Sequence, residues 1–347
     1  MRFLNRVHCA LLTMSEGLNR FFMRWLCSMR LGIAPLTKSV IAAVTISYSL
    51  LASSHAAAPA ASANAAGQTD WCKRLTPRLP SVSTKTCQSS ALTPTGAVSR
   101  KGFPILVRDV LPDSKEVAKG GKGSNNEPVR VLLLGGIHGD ELTSSAIVFR
   151  WLGLMQNPTA RSFHWRVAPV VNPDGLLAPT AQRVNANGVD LNRNFPMPDW
   201  SHQVPPYWTK VTGRDPRRFP GSGPLSEPET QWVNEEIARF RPNVIISIHA
   251  PFGLLDFDGP ATPPRRFGRL LLNPIGVYPG SLGNYSGLHM KVPVITIELP
   301  HALEMPPDAE VKRIWLDMLT WIKHNGSKPV TVASEFKSTL VPTRMDR

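Results

Sequence analysis

The 347-residue sequence predicts an α/β fold in which helices cover a sheet. Two observations support this fold class. Short apolar runs rich in β-branched residues recur along the chain, and such runs are typical of strands that are covered on both faces. Segments with the apolar spacing of helices alternate with these runs, which is the pattern of an α/β architecture. Hydrophobic residues make up 42% of the chain, a share that excludes a disordered protein.

The predicted strands are Val129–Ile137, Trp165–Val171, Asn243–Ile248 and Val292–Ile297. The predicted helices are Leu142–Met155, a segment that begins at Ser226, and Asp308–His324. Ser226 and Glu229 have the spacing of a capping box, which predicts the start of the second helix. No internal repeat occurs between residues 101 and 325, and we assign this range to one domain.

The N-terminal region has the sequence features of an export signal. A run of thirteen mostly apolar residues extends from Ser39 to Leu51, with basic residues before it and small residues after it. This is the anatomy of a signal peptide, so we predict a signal at residues 29–56 and export to the periplasm. Residues 1–28 are then an upstream extension or a misassigned start, and Met29 is the expected start. An extended n-region and an uncleaved anchor are the alternatives, although the run is short for a bilayer.

Two cysteines, Cys72 and Cys87, remain in the expected mature chain. An even pair in an exported protein predicts one disulfide, and two free thiols are the alternative. We assign residues 57–100 to a linker and an N-terminal segment, which is expected to be loop-like up to about residue 96. Residues 326–347 are expected to form a C-terminal tail.

The formal net charge of +14 restricts the class of partner. Six basic residues and one acidic residue precede residue 57, so the remaining chain carries +9. A basic surface favours anionic partners, including carboxylate-rich substrates. No stretch interleaves aromatic residues with Lys or Arg, so we expect no nucleic-acid partner. No later segment predicts a membrane span, so we expect none after signal cleavage.

Three predicted strands end in side chains that bind metals or transfer protons, namely His138, His249 and Glu298. Ligands of open α/β sheets bind beyond the carboxyl ends of strands, so these side chains point to one crevice. Glu141 follows His138 by three residues, and a His-Glu-His set leaves Zn²⁺ an open position, as catalytic zinc sites do. A plain helix cap is the alternative for Glu141. Asp140 is expected to serve the helix start or to orient His138.

A second polar cluster comprises NPDG at residues 172–175 and RVNANGVDLNRNFP at residues 183–196. Arginine presents a fork of donors that matches a carboxylate bidentately, so the arginines of this stretch can bind a carboxylate. Two simpler interpretations remain: NPDG can be only a type I turn, and Asp190 can serve only to orient its neighbours.

These motifs resemble the zinc carboxypeptidase family in order and spacing. The likeness covers about residues 129–320 and includes GGIHGDE, NPDG, RVNANGVDLNRNFP, LSEPET and the glutamate of ITIELP. The resemblance implies a mixed, roughly eight-stranded sheet flanked by helices on both faces, with residues 101–325 as the catalytic domain. It also implies one zinc ion, held by His138, Glu141 and His249.

The resemblance further implies roles for Glu298 and for three residues of the second cluster. Glu298 would activate water, Arg183 would polarise the scissile carbonyl, and Asn192 and Arg193 would hold the terminal carboxylate of the substrate. Digestive members of the family also place a tyrosine over the substrate.

Tyr278 and Tyr285 are both candidates for that tyrosine. The wording NANGVDLNRNFP and the loop PGSLG at residues 279–283 resemble the compact bacterial branch of murein peptide amidases. That branch cleaves between γ-D-glutamate and meso-diaminopimelate, which implies a murein peptide as the substrate. The alternatives are a general zinc carboxypeptidase on L-peptides, an aspartoacylase-type zinc deacylase, and an inactive wall-binding protein.

Overall fold

The structure is a computed structural model, and it describes residues 68, 70–118 and 127–326. All of these residues belong to one compact unit. The expected signal peptide lies outside the described residues, as does the expected tail after residue 326, and both stay predictions. Within the described part of the chain, none of the helices has the length and apolar character that a membrane span requires.

One mixed sheet of nine strands organises the described residues. The strands are β1 (Thr93–Val98), β2 (Pro104–Val110), β3 (Arg130–Leu134), β4 (His164–Ala168), β5 (Val244–His249), β6 (Leu254–Asp258), β7 (Arg266–Phe267), β8 (Leu270–Leu272) and β9 (Val294–Glu298). Their order is β1-β2-β4-β3-β5-β9-β6-β8-β7. The strands β4, β3, β5 and β9 run parallel, whereas β2 and β6 are antiparallel to their neighbours in this central set. The predicted fold class is confirmed, and the short β7 and β8 bring the strand count to nine.

Helices cover both faces of the sheet. They are α1 (Thr84–Ser89), α2 (Ser114–Val117), α3 (Leu142–Leu154), α4 (Pro173–Leu176), α5 (Trp200–Lys210), α6 (Pro228–Phe240), α7 (Asp308–Asn325) and a π-helix (Gly283–His289). The helices α3 and α7 pack on one face, and α6 packs on the other with the start of the π-helix. Alternate residues of β3 and β5 enter the two cores, which explains why these strands are apolar throughout.

The strand β3 is shorter than predicted, and its end positions the site. It stops at Leu134, and Gly136 then adopts a φ of +62°, a left-handed conformation that favours glycine. A side chain at Gly136 would lie 2.4 Å from Ser145 Oγ of α3. Gly135 and Gly136 therefore let the chain turn tightly after β3, and this turn places His138 beyond the edge of the sheet.

The predicted capping box at Ser226 and Glu229 is wrong. The helix α6 begins at Pro228, whose fixed φ suits the first helical position, and Glu227 is its N-cap without a side-chain cap. Ser226 therefore lies one residue too early, and its hydroxyl donates to Glu227 Oε1 at 2.8 Å. Asn194 Oδ1 accepts the Glu227 N–H at 3.3 Å instead.

The loop-like prediction for the N-terminal segment is also wrong. Residues 70–75 and α1 are helical, and β1 pairs with β2 as the first strand of the sheet. The small and polar residues of β1, TPTGAV, hid it from a search for apolar runs. The predicted disulfide between Cys72 and Cys87 is present, and both cysteines are buried.

Candidate active site

Three buried side chains converge beyond the ends of β3 and β5. His138 Nδ1 lies 2.7 Å from Glu141 Oε1, and His249 Nδ1 lies 3.0 Å from Glu141 Oε2. The two Nδ1 atoms are 3.1 Å apart. The ligand atoms of His138, Glu141 and His249 all lie within 4.8 Å of one another, so these three side chains could share one metal ion. It is the one such group of His, Cys, Asp or Glu side chains in the described residues.

The outer nitrogens of both imidazoles have their own partners. His138 Nε2 lies 3.1 Å from Asp190 Oδ1, so the Nε2–H would donate to this carboxylate when Nδ1 binds a metal ion. His249 Nε2 lies 3.0 Å from Ser247 Oγ. Such outer partners fix the orientation of ligating histidines. The donor set therefore fits a catalytic zinc ion, with two imidazole nitrogens and one carboxylate.

Asp190, and not Asp140, orients His138. The Asp140 carboxylate accepts a hydrogen bond from Arg217 Nη2 at 2.7 Å, at the protein surface. Asp140 follows His138 in a turn and faces the loop that carries Arg217, which prevents it from reaching the imidazole. The simpler interpretation of Asp190, as a residue that orients its neighbours, is the one that the structure supports.

The pairing of β9 with β5 places Glu298 beside the metal-ligand group. It is the last residue of β9, as His249 is of β5, and the two residues are register partners. The Glu298 side chain is 5% exposed, and its Oε2 atom has no hydrogen-bond partner among the described residues. Burial raises the pKa of Glu298 to about 7, with Glu141 raising it further and His249 opposing the shift. A pKa near neutrality suits a general base.

Arg183 also lies beside the metal-ligand group. Its Nε donates to Asp190 Oδ2 at 2.9 Å, and its Nη1 donates to Glu141 Oε1 at 3.5 Å. Burial alone would raise the pKa of Asp190, but the charges of Arg183 and His138 hold it well below its usual value. Asp190 is therefore an anion that contacts both His138 and the cationic side chain of Arg183.

Arg193 and Asn192 form a further wall. Asn192 Oδ1 accepts the Leu282 N–H at 2.9 Å, and Arg193 Nη1 donates to the Asn192 carbonyl at 2.7 Å. The ring of Tyr278 covers the Arg193 guanidinium at 4.4 Å from ring centroid to Cζ. Arg193 Nε is buried and lacks a hydrogen-bond partner within the described range. The arginine thus keeps donor capacity for a substrate carboxylate.

The two tyrosine candidates have different surroundings. The Tyr285 hydroxyl donates to Asn234 Oδ1 at 2.6 Å, and its ring stacks on Phe195 in the core. Tyr278 instead packs on Arg193 and donates to the Ile275 carbonyl at 3.1 Å. Tyr278 is therefore the tyrosine that belongs to the site.

A cavity of about 570 Å³ adjoins Arg183. Its walls include Trp208, Pro216, Arg217 and Phe219. The sequence interpretation missed Trp208 and Phe219, because a tryptophan and a phenylalanine in a chain with many apolar residues carry no signal that separates a pocket wall from a core.

Comparisons with known proteins match the chain to a family model and to relatives. The family model described as "Zinc carboxypeptidase" matches residues 98–255. The chain is 31% identical over 211 residues to murein peptide amidase A of Escherichia coli strain K12, covering 57% of this chain and 82% of that protein. It is 33% identical over 181 residues to murein peptide amidase A of Vibrio campbellii, covering 49% of this chain and 69% of that protein.

A solved structure supports the fold. Bovine thrombin-activatable fibrinolysis inhibitor, in complex with tick carboxypeptidase inhibitor, superposes with a TM-score of 0.50 at 18% identity. The match covers 75% of this chain and 94% of that chain. At this identity the likeness concerns the fold alone.

Proposed function

The chain belongs to the zinc carboxypeptidase family, and from that premise we propose that it hydrolyses the γ-D-glutamyl–meso-diaminopimelate bond of murein peptides. The general activity is that of a zinc-dependent peptidase or amidase with one metal ion. The proposal concerns the substrate. Its main support is the likeness to murein peptide amidase A, together with a crevice in which a carboxylate-binding arginine faces a catalytic constellation.

The residues of the chain divide the reaction among them. His138, Glu141 and His249 would hold the zinc ion, which when bound would supply Lewis-acid chemistry that acidifies water and polarises a carbonyl. Glu298 accepts a proton from water at Oε2, which has no hydrogen-bond partner among the described residues, and returns it to the leaving amine nitrogen. Arg183 donates to the oxygen on which negative charge develops.

The leaving side of the substrate is defined by Arg193. Its guanidinium, covered by the Tyr278 ring, binds the carboxylate next to the scissile amide. Asn192 is held by the Leu282 N–H through its carbonyl oxygen, which leaves its amide hydrogens for the same carboxylate. This arrangement favours cleavage next to a C-terminal residue.

We place the protein outside the cytoplasm, in the periplasm. The signal-like residues 29–56 motivate this proposal, and the disulfide between Cys72 and Cys87 supports it, because such bonds persist in oxidising compartments. The basic charge of the chain after residue 56 also suits murein peptides, which carry several carboxylates.

Incubation of the purified protein with L-Ala-γ-D-Glu-meso-diaminopimelate tests the proposal. We expect free meso-diaminopimelate, detected by mass spectrometry, and one zinc per chain by elemental analysis. His249→Ala is the matched negative control and should lose both zinc and turnover. An enzyme that ignores this tripeptide but removes C-terminal Phe from L-peptides would be a general carboxypeptidase. Hydrolysis of N-acetyl-aspartate would instead support the deacylase alternative.

A further inference from the structure

Two aspartates of β6 lie beside the strand that carries Glu298. In the antiparallel pairing of β6 with β9, Leu254 faces Glu298, Asp256 faces Thr296 and Asp258 faces Val294. Side chains of directly paired residues share one face of a sheet, and so do alternate residues along a strand. Asp256 and Asp258 therefore lie on the same face as Glu298.

The side chains on the opposite face of β6 pack in the hydrophobic core. Leu255 is buried in it, and Phe257 packs edge-on against Trp321 at a centroid distance of 6.1 Å. The two aspartates thus lie on the face of β6 that also carries Glu298 on β9. Asp256 is close enough to His249 for the charge of the imidazole to lower its pKa.

Both carboxylates are buried, and neither forms an ion pair with a Lys or Arg side chain in the described part of the chain. Asp256 is 4% exposed and Asp258 is 7% exposed. Asp256 Oδ1 accepts the N–H of Phe257 at 2.9 Å, and the backbone N–H of Ile275 also stabilises this carboxylate, whereas no hydrogen bond or ion pair from the described residues reaches the Asp258 carboxylate. Burial raises the pKa of Asp256 to about 6 and that of Asp258 to about 8, and the charge of Asp256 adds to the second shift. A buried, unpaired carboxylate is costly unless a ligand compensates it.

The π-helix leaves room for the Asp258 carboxylate. A side chain at Gly283 would lie 1.9 Å from Asp258 Oδ2, and one at Gly287 would lie 2.6 Å from Asp258 Cβ. Glycine at both positions is what allows the carboxylate to fit beneath this helix. Turns of π-helix occur often at functional sites.

The same π-helix is tied to the carboxylate-binding wall. Leu282, the residue just before it, donates its N–H to Asn192 Oδ1 at 2.9 Å. Asn192 precedes Arg193, so the acidic pair and the carboxylate anchor share one side of the crevice. Glu298, on the same sheet face as the pair, leaves a buried Oε2 without a partner in the described part of the chain. In the proposed function, this side receives the leaving residue.

We propose that Asp256 and Asp258 bind an ammonium group on the side chain of the leaving residue. The enzyme would therefore select peptides whose C-terminal residue carries a side-chain amine, as diaminopimelate and lysine do. A neutral side chain would bury the two carboxylates further without compensating their charge. The inference deepens the proposed function and rests on its assignment of the leaving side.

Matched substrates test the inference. Peptides with the same acyl part and a C-terminal meso-diaminopimelate, lysine or norleucine are compared by kcat/KM, since norleucine keeps the aliphatic chain of lysine and lacks the ammonium. We expect wild type to prefer lysine over norleucine, and Asp256→Asn and Asp258→Asn each to reduce that ratio about thirtyfold. A ratio is insensitive to partial misfolding, which lowers both rates. Asp109→Asn on β2 removes one carboxylate elsewhere in the sheet and should keep the ratio.

The outcomes separate this inference from the proposed function. Equal lysine-to-norleucine ratios in wild type and in both aspartate variants overturn the inference, whatever happens to the tripeptide. Failure to cleave the murein tripeptide, combined with an aspartate-dependent preference for lysine, overturns the murein substrate and supports the ammonium site. Cleavage of the tripeptide at the wild-type rate by both variants retains the murein substrate and rejects the ammonium site.

Discussion

His249 and Glu298 are direct partners in the parallel pairing of β5 and β9. Each is the last residue of its strand, so two adjacent strand ends place a metal ligand and the candidate general base side by side. Both belong to strands inside the sheet, and both are buried. The spacing between these groups is therefore set by backbone pairing and not by a flexible loop.

Replacement of the Glu298 carboxylate should separate metal binding from turnover. Glu298→Gln keeps the shape of the side chain but cannot accept a proton from water, so we expect kcat to fall by about 10² to 10⁴ while zinc content is unchanged. Glu304→Gln, at an exposed position, is the matched control and should keep wild-type kcat. Near-normal kcat in Glu298→Gln would exclude this residue as the base.

Loss of the Asp190 charge should weaken metal binding, although Asp190 is not itself a candidate metal ligand. Asp190→Asn removes the anion that holds the Nε2–H of His138 and the Nε–H of Arg183. We expect the zinc affinity to fall about 10- to 100-fold, measured by competition with a chelator. The equivalent change at the surface, Asp140→Asn, should leave the affinity close to that of wild type. Equal losses in the two variants would contradict the assignment of Asp190 as the orienting residue.

The carboxylate anchor should act mainly on substrate binding. Arg193→Ala removes the fork that binds the substrate carboxylate, so we expect KM to rise about tenfold or more and kcat to change less. Arg193→Lys keeps the charge but not the fork and should recover only part of the affinity. If kcat fell and KM stayed constant in Arg193→Ala, the contact would belong to the transition state.

Glu229 should make stability depend on pH. It is fully buried, Asn185 Nδ2 donates to it at 3.1 Å, and burial raises its pKa from 4.5 to about 7. A carboxyl group with a higher pKa in the folded state stabilises the fold below its unfolded pKa and loses that contribution as the pH rises through its folded pKa. Glu229→Gln cannot ionise and should not show this loss.

Urea unfolding at about pH 5 and about pH 8 measures the effect. Relative to wild type, the free energy of unfolding of Glu229→Gln should increase between these values by up to about 3 kcal/mol. Glu235→Gln, exposed on the same helix, should follow wild type at both values. An identical pH dependence in wild type and Glu229→Gln would show that Glu229 has an ordinary pKa.

The sequence alone determined the central strands and the long helices, and it singled out the residues that the structure brings together as a candidate metal site. The strands β3, β4, β5 and β9 and the helices α3, α6 and α7 each carry a continuous apolar pattern, which is a local property of the chain. His138 and Glu141 are close in sequence, and His249 and Glu298 end apolar strands, so their convergence follows from the rule for strand ends. The sequence missed β1 and misplaced the start of α6, because a strand of small polar residues and a proline at the helix start do not follow these patterns.

Only the tertiary structure decided which groups surround those ligands. Asp190 reaches His138 from 52 residues away, and Tyr278 reaches Arg193 from a different loop. In the sequence, Asp256 and Asp258 carry no signal that separates them from other polar residues. Only the register of β6 against β9 places them on the same sheet face as Glu298. A one-residue change of register would turn every side chain of that strand to the other face, and register depends on contacts between segments about forty residues apart, which no local pattern encodes.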